Sequence, residues 1–160
     1  MIATRRGPGA AGGDDGYSYG VDSTINPIEQ LAINTYWAGA SGASGASLNE
    51  RSSYRANVTW NADMTGLQVE HMFLGDHFNP EIGFLRRTAF RRSYGQARFS
   101  PRPARWKAVR KFYYEGSYDY FEDRLGRPES REAQAASRAE LSNGDQWAVE
   151  YSKASEGLAA

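Results

Sequence analysis

The residues best suited to chemistry gather in three places. His71 and His77 stand beside Glu70 and Asp76, a set of types that could ligate a divalent metal. In an extended strand, however, Glu70 and His71 point to opposite faces and cannot converge on one ion. Glu115 and Asp119 share a face four residues apart, about 13 Å at ~3.3 Å per residue. That exceeds the roughly 6.5–9.5 Å between the carboxyls of an inverting glycosidase. Paired-carboxylate chemistry then needs a cross-strand pair such as Glu115 with Glu140. The third place runs through Asp76, Phe78, Asn79, Pro80 and Glu81, where Asn79-Pro80 fixes a turn and Arg86, Arg87, Arg91 and Arg92 concentrate positive charge. These arginines either pair with carboxylates and hold a loop against the body of the protein, or bind an anionic group such as a uronate or a lipid phosphate. Pairing is the favoured reading. Asn57-Val58-Thr59 spells a glycosylation sequon in mid-strand and is discounted. No catalytic residue, cofactor site or metal site is assigned.

The elements that position these residues are β-strands. From Ser53 to Asn61, Tyr54, Ala56, Val58 and Trp60 alternate with Arg55, Asn57, Thr59 and Asn61, and period two specifies a strand. The same split recurs from Phe112 to Tyr120, and from Gln146 to Ser152, where Trp147, Val149 and Tyr151 oppose Gln146, Ala148 and Glu150. Weaker alternation covers Tyr17 to Val21, Leu31 to Trp37, Leu67 to Phe73 and Phe90 to Ser100. The alanine-rich 131–141 has helical propensity, yet Ala133, Ala135, Ala139 and Leu141 alternate with Gln134, Arg138 and Glu140 ahead of Asn143-Gly144, a hairpin signal. The reading is all-β, an antiparallel up-and-down meander of about eight strands.

Connections alternate in expected length. Short ones fall at Asn26-Pro27, Ala62 to Thr65, Pro101 to Ala104 and Ser142 to Asp145; long ones at 39–52, 76–88 and Glu122 to Ser130. Transmembrane barrels have this rhythm of short turns and long outer loops, and their strands span roughly 9 to 11 residues.

Composition narrows the class. The 160 residues carry 19 basic and 19 acidic side chains, so no net field draws the chain to nucleic acid, which is not expected as a partner. With no cysteine, disulfides and thiolate metal sites are excluded. No stretch approaches the roughly 20 apolar residues of a membrane helix, and the first twenty residues lack the apolar core of an export signal. A piece of a longer chain is expected, with 1–160 as a single barrel segment. Aromatic residues make up 13%, generous for so polar a chain.

Alternation alone fits a soluble sheet as well as a membrane barrel. The chemistry of the two faces favours the barrel. One face carries Arg55, Glu70, Arg92, Arg98, Lys111, Glu115, Asp119, Arg138, Glu140 and Glu150, charges of both signs suited to a hydrated lumen. The other carries Trp37, Tyr54, Trp60, Tyr114, Tyr118, Tyr120, Trp147 and Tyr151, rings suited to lipid and its headgroup girdles. Outer-membrane lipid is then the expected partner and a bacterial outer membrane the expected location. The alternative is a soluble carbohydrate-binding β-sandwich with tryptophans as stacking platforms, and a glycoside hydrolase is less favoured still.

The stretch Leu74 to Pro103, LGDHFNPEIGFLRRTAFRRSYGQARFSPRP, resembles a bacterial family of uncharacterised C-terminal barrel domains that follow a family-nine-type carbohydrate-binding module. MIATRR, VRKFYYEGSYDY and SREAQAASRAELSNGDQWAVEY are similar to further strands of that domain, so the likeness covers nearly the whole chain. It implies an outer-membrane barrel linked to carbohydrate uptake or breakdown, acting as anchor or pore. Any oligosaccharide contact it implies belongs to a preceding module, and it assigns sugar binding to no residue here.

Overall fold

A computed structural model describes residues 1–6, 16–41, 45–78 and 89–157. Among them are nine strands and no helix: β1 (Ile2–Arg6), β2 (Gly16–Ile28), β3 (Leu31–Ala40), β4 (Ser52–Asn61), β5 (Thr65–Leu74), β6 (Phe90–Phe99), β7 (Val109–Asp123), β8 (Pro128–Leu141) and β9 (Gln146–Glu156). They form one sheet in the order β1 to β9, each strand antiparallel to the next. The up-and-down antiparallel meander is therefore present, with short β1 added to the expected eight or so. No pairing joins β1 to β9 among the described residues.

The alanine-rich segment is β8, a strand of 14 residues. Helix propensity there is overridden by pairing on both sides, with β7 and β9. β3 to β6 have 10 residues each, about 33 Å of extended chain at ~3.3 Å per residue.

Three expected connections move. Asn26-Pro27 lies within β2, and the turn falls at Glu29-Gln30. Pro27 has no N–H to donate, and the β2–β3 register shifts between Ile25 and Ile28 to pass it. Pro101 to Ala104 belongs to a longer link, 100–108, because two prolines suspend pairing until Val109 comes opposite Leu141. Glu122 to Ser130 contracts to a turn over 124–127. There the Asp123 carboxylate accepts from the N–H groups of Leu125 and Arg127, and Gly126 takes φ 75°. The turn over 142–145 stands as expected, and the long connection expected over 39–52 narrows to 41–51, since Gly39, Ala40 and Ser52 pair within strands. Of the long link after β5, only 75–78 and Ala89 are described, so Asn79, Pro80, Glu81, Arg86 and Arg87 lie outside the described residues.

The register divides the side chains into two faces. Leu31, Trp60, Leu67, Ala97, Gly116, Ala135 and Tyr151 align across seven strands on one face. Asn34, Asn57, Glu70, Tyr94, Asp119 and Glu132 align on the other. Over β4 and β5 burial is inverted relative to a water-soluble sheet. On the charged face Asn57 and Glu70 are 4% and 5% exposed, whereas on the aromatic face Val58 and Val69 are 41% and 50% exposed; β9 is exposed on both faces.

The apolar core is small and lies on the charged face at the long-loop end. Ala40, Leu74, Phe78 and Phe90 are buried, with Ala38, Met72 and Phe121 packed against them. Phe78 comes from the link after β5. That link lies against the β3–β4 loop, since Gly75 N–H donates to the Ser52 carbonyl and His77 N–H to the Glu50 carbonyl, both at 2.9 Å. Gly75 is required there: a Cβ would stand 2.3 Å from the Glu50 carbonyl oxygen.

Candidate functional site

The charged face of β4 to β7 holds a closed set of ion pairs. Arg55 and Glu70 are offset by one row on neighbouring strands, as are Glu70 and Arg92, so each guanidinium reaches a carboxylate diagonally. Arg55 Nε donates to Glu70 Oε2 at 2.9 Å, Asn57 Nδ2 to the same oxygen at 3.2 Å, and Arg92 Nη1 to Glu70 Oε1 at 3.0 Å. Arg92 also grips Asp119 with a fork, Nε to Oδ1 at 2.9 Å and Nη2 to Oδ2 at 2.7 Å. Its guanidinium lies 5.2 Å from the Tyr94 ring centroid and 5.5 Å from that of Phe121. Two cations and two carboxylates cancel, and all four carboxylate oxygens are engaged. Each of these oxygens already accepts from a guanidinium or amide N–H, so the set ties four strands together.

The remaining expected lumen residues divide. Arg98 is spent on the β4–β5 turn, donating to the Ala62 carbonyl at 2.7 Å, to Asn61 Oδ1 at 3.0 Å and to Ser100 Oγ at 2.9 Å. Lys111 Nζ sits 4.5 Å from the Tyr113 ring centroid. Glu140 lies opposite Lys111 and accepts from Arg110 at 2.9 Å. The register sets Glu115 opposite Ala136, so Glu115 and Glu140 are not the cross-strand pair that the sequence left open. Glu115, Arg138 and Glu150 lie together on β7, β8 and β9, exposed and without an ion-pair partner among the described residues.

On the opposite face, Trp37 packs on Tyr19 at 5.6 Å between centroids, and Tyr54 stacks on Phe73 at 5.2 Å. Trp60 Nε1 donates to Thr65 Oγ1 at 3.2 Å. Tyr114 stacks on Phe112 and Tyr118 on Tyr120, and Trp147 and Tyr151 are exposed on β9. His71 also lies on this face, Nδ1 at 3.0 Å from Ser93 Oγ and away from Glu70. Among the described residues no group of three or more His, Cys, Asp or Glu could hold a metal.

At the loop ends, charges serve as ties. Asp76 accepts from Arg124 at 2.9 Å, joining the link after β5 to the β7–β8 turn. The Ser47 N–H and hydroxyl beside Glu50 lower that carboxyl below its ordinary value. At the other end Arg102 holds the Asp63 carboxyl below its ordinary value, mainly through its hydrogen bonds. Sequence reasoning missed the apolar cluster. Its signal was a loss of alternation at strand ends, where Phe73 is followed by Leu74 and Tyr120 by Phe121. It also missed the Asp63–Arg102 tie, which joins two turns and leaves no periodic trace.

No family model, curated protein or solved structure matches this chain.

Proposed function

We infer that these nine strands are part of the wall of a bacterial outer-membrane β-barrel, acting as membrane anchor or pore. The observation that carries this reading is the inverted burial: valine, tyrosine and tryptophan side chains exposed on one face, and on the other an arginine–carboxylate lattice built around the buried Glu70, with Asp119, Arg92 and Arg55 partly exposed. In water this arrangement is unfavourable, because apolar area left exposed forgoes about 25 cal/mol per Å². In a bilayer the same rows meet hydrocarbon, and the ions meet a hydrated interior. Within lipid no sheet edge is left open, so on this reading further strands complete the wall.

We further propose a role in carbohydrate binding, uptake or breakdown, suggested by the resemblance in sequence of Leu74 to Pro103 to barrel domains that follow a sugar-binding module. A soluble carbohydrate-binding sandwich is the competing reading. It needs a second sheet to cover the aromatic rows, and all nine described strands belong to one sheet.

Fractionation of Gram-negative cells expressing the protein tests the membrane reading. The expected result is recovery with outer membranes, extractable by detergent and not by high salt or carbonate. Recovery as a folded protein in the soluble fraction would overturn it.

A further inference from the structure

On the charged face of β7, β8 and β9 the register sets nine side chains in three rows: Tyr113–Arg138–Ala148, Glu115–Ala136–Glu150 and Ser117–Gln134–Ser152. Ala136 is the centre of this grid and too small to fill it. Two strand spacings of roughly 4.8 Å part Glu115 from Glu150, and Arg138 and Gln134 stand above and below Ala136 on β8. The result is a dish of about 470 Å³, within the roughly 300–1,000 Å³ range of small-molecule sites.

Elsewhere on this face Arg55, Glu70, Arg92 and Asp119 neutralise one another and Arg98 is tied to a turn, while Lys111 lies over the Tyr113 ring and Glu132 accepts from Gln134. Here Glu115, Glu150 and Arg138 are unpaired among the described residues, and Ser117 and Ser152 donate to nothing described. The rim alternates acceptor, donor, acceptor, donor around a methyl floor, with Gln134 offering its second amide N–H, since the first is given to Glu132 Oε1 at 2.7 Å. Two carboxylates repel an anion, and the alanine floor offers little to an apolar ligand. Arg138 offsets one of the two carboxylates, and the neutral Gln134 amide adds hydrogen-bonding capacity without charge. A molecule that is neutral and presents hydroxyls around its girdle satisfies all four sides. Its hydroxyls donate to Glu115 and Glu150 and accept from Arg138 and Gln134, while its C–H face lies on Ala136. A pyranose ring with equatorial hydroxyls has that form.

We propose that the Glu115–Arg138–Glu150–Gln134 dish is a binding site for a neutral pyranose unit of an oligosaccharide. The site rests on the reading that this face lines a watery interior, and it deepens that reading by giving this chain its own ligand contact.

The test uses the full chain folded in detergent micelles, with cellotetraose, maltotetraose and xylotetraose as probes and tetra-alanine as peptide control, followed by calorimetry. At least one tetrasaccharide should bind, and tetra-alanine should not. Ala136→Trp, which fills the floor without altering a charge, should weaken binding at least about tenfold, and Glu115→Gln or Glu150→Gln several-fold. Lys153→Gln on the opposite face should leave it unchanged. Circular dichroism of each variant separates lost binding from lost folding, and Ala136→Leu serves if the tryptophan variant does not fold. A folded, detergent-dependent protein that binds none of the three sugars, or binds tetra-alanine as well, overturns the site and leaves the barrel reading standing. A folded chain that needs no detergent overturns the barrel reading instead.

Discussion

Strands β4 to β7 and strands β7 to β9 present the same face of one sheet and treat their charges in opposite ways. On β4 to β7, long side chains at adjacent rows meet, and Arg55, Glu70, Arg92 and Asp119 neutralise one another. On β8 and β9 the intervening positions are alanine and serine, and Glu115, Arg138 and Glu150 face an open dish. The difference lies in volume and not in charge content. Where large residues fill the rows, ions find partners and become structure; where small residues thin the rows, the same ions are left to meet something else. A list of charges on one face therefore does not separate cohesion from recognition, and the size of their cross-strand neighbours does.

The largest expected effect comes from breaking the lattice. Glu70→Ala leaves Arg55 and Arg92 without their shared carboxylate and should cost about 3–5 kcal/mol in urea unfolding of the detergent-folded protein. Glu150→Ala should stay within about 0.5 kcal/mol. Equal losses from the two would erase the distinction between the regions.

Next in size is a contrast between faces. Val69→Arg on the aromatic face should cost about 2–4 kcal/mol when folding is measured in lipid vesicles, as for a charge placed at mid-bilayer, and Gln134→Arg in the dish about 1 kcal/mol or less. A water-facing Val69 would accept arginine without loss, and that outcome would reverse the assignment of the faces.

A smaller effect separates two glycines. Gly75→Ala forces a Cβ against the Glu50 carbonyl and should cost about 1–3 kcal/mol. A Cβ on Gly116 meets only the Gln134 carbonyl, at 3.8 Å, so Gly116→Ala should be near neutral by the same unfolding assay. Parity between them would show that the loop packing around Phe78 adds nothing to stability.

The smallest effect is a pH dependence at the turns. Arg102 lowers the Asp63 carboxyl in the folded protein, so its contribution is fully present above the ordinary aspartate value of about 4 and fades as pH falls through the lower folded value. Arg102→Gln should flatten this acid-side slope in melts between about pH 2 and 5, and an unchanged slope would remove the tie from the account of stability.

Much of the fold was legible because alternation records a strand and its two faces in the same pattern. Every charged residue expected on one face from that pattern lies there, as does every aromatic residue expected on the other. Register was not legible. No local signal says that Glu70 stands one row from both Arg55 and Arg92, or that Glu115 meets Ala136 and not Glu140. Turn positions failed where proline and glycine act on the backbone. Pro27 interrupts a ladder without ending the strand, and Gly126 with Asp123 closes a turn tighter than the polar stretch around it suggests. The apolar cluster hid because its members sit where alternation lapses, a lapse that reads as a strand end.

Counting the strands has a consequence for assembly. In a sheet where every neighbour is antiparallel, the first and ninth strands run the same way. A wall that keeps this rule all the way round must then be finished by an odd number of added strands. A second copy inserted in the same orientation would join β9 to a parallel β1, and only an upside-down copy would preserve the rule. On the barrel reading, parity of the nine described strands thus speaks against an identically oriented twin as what completes the wall.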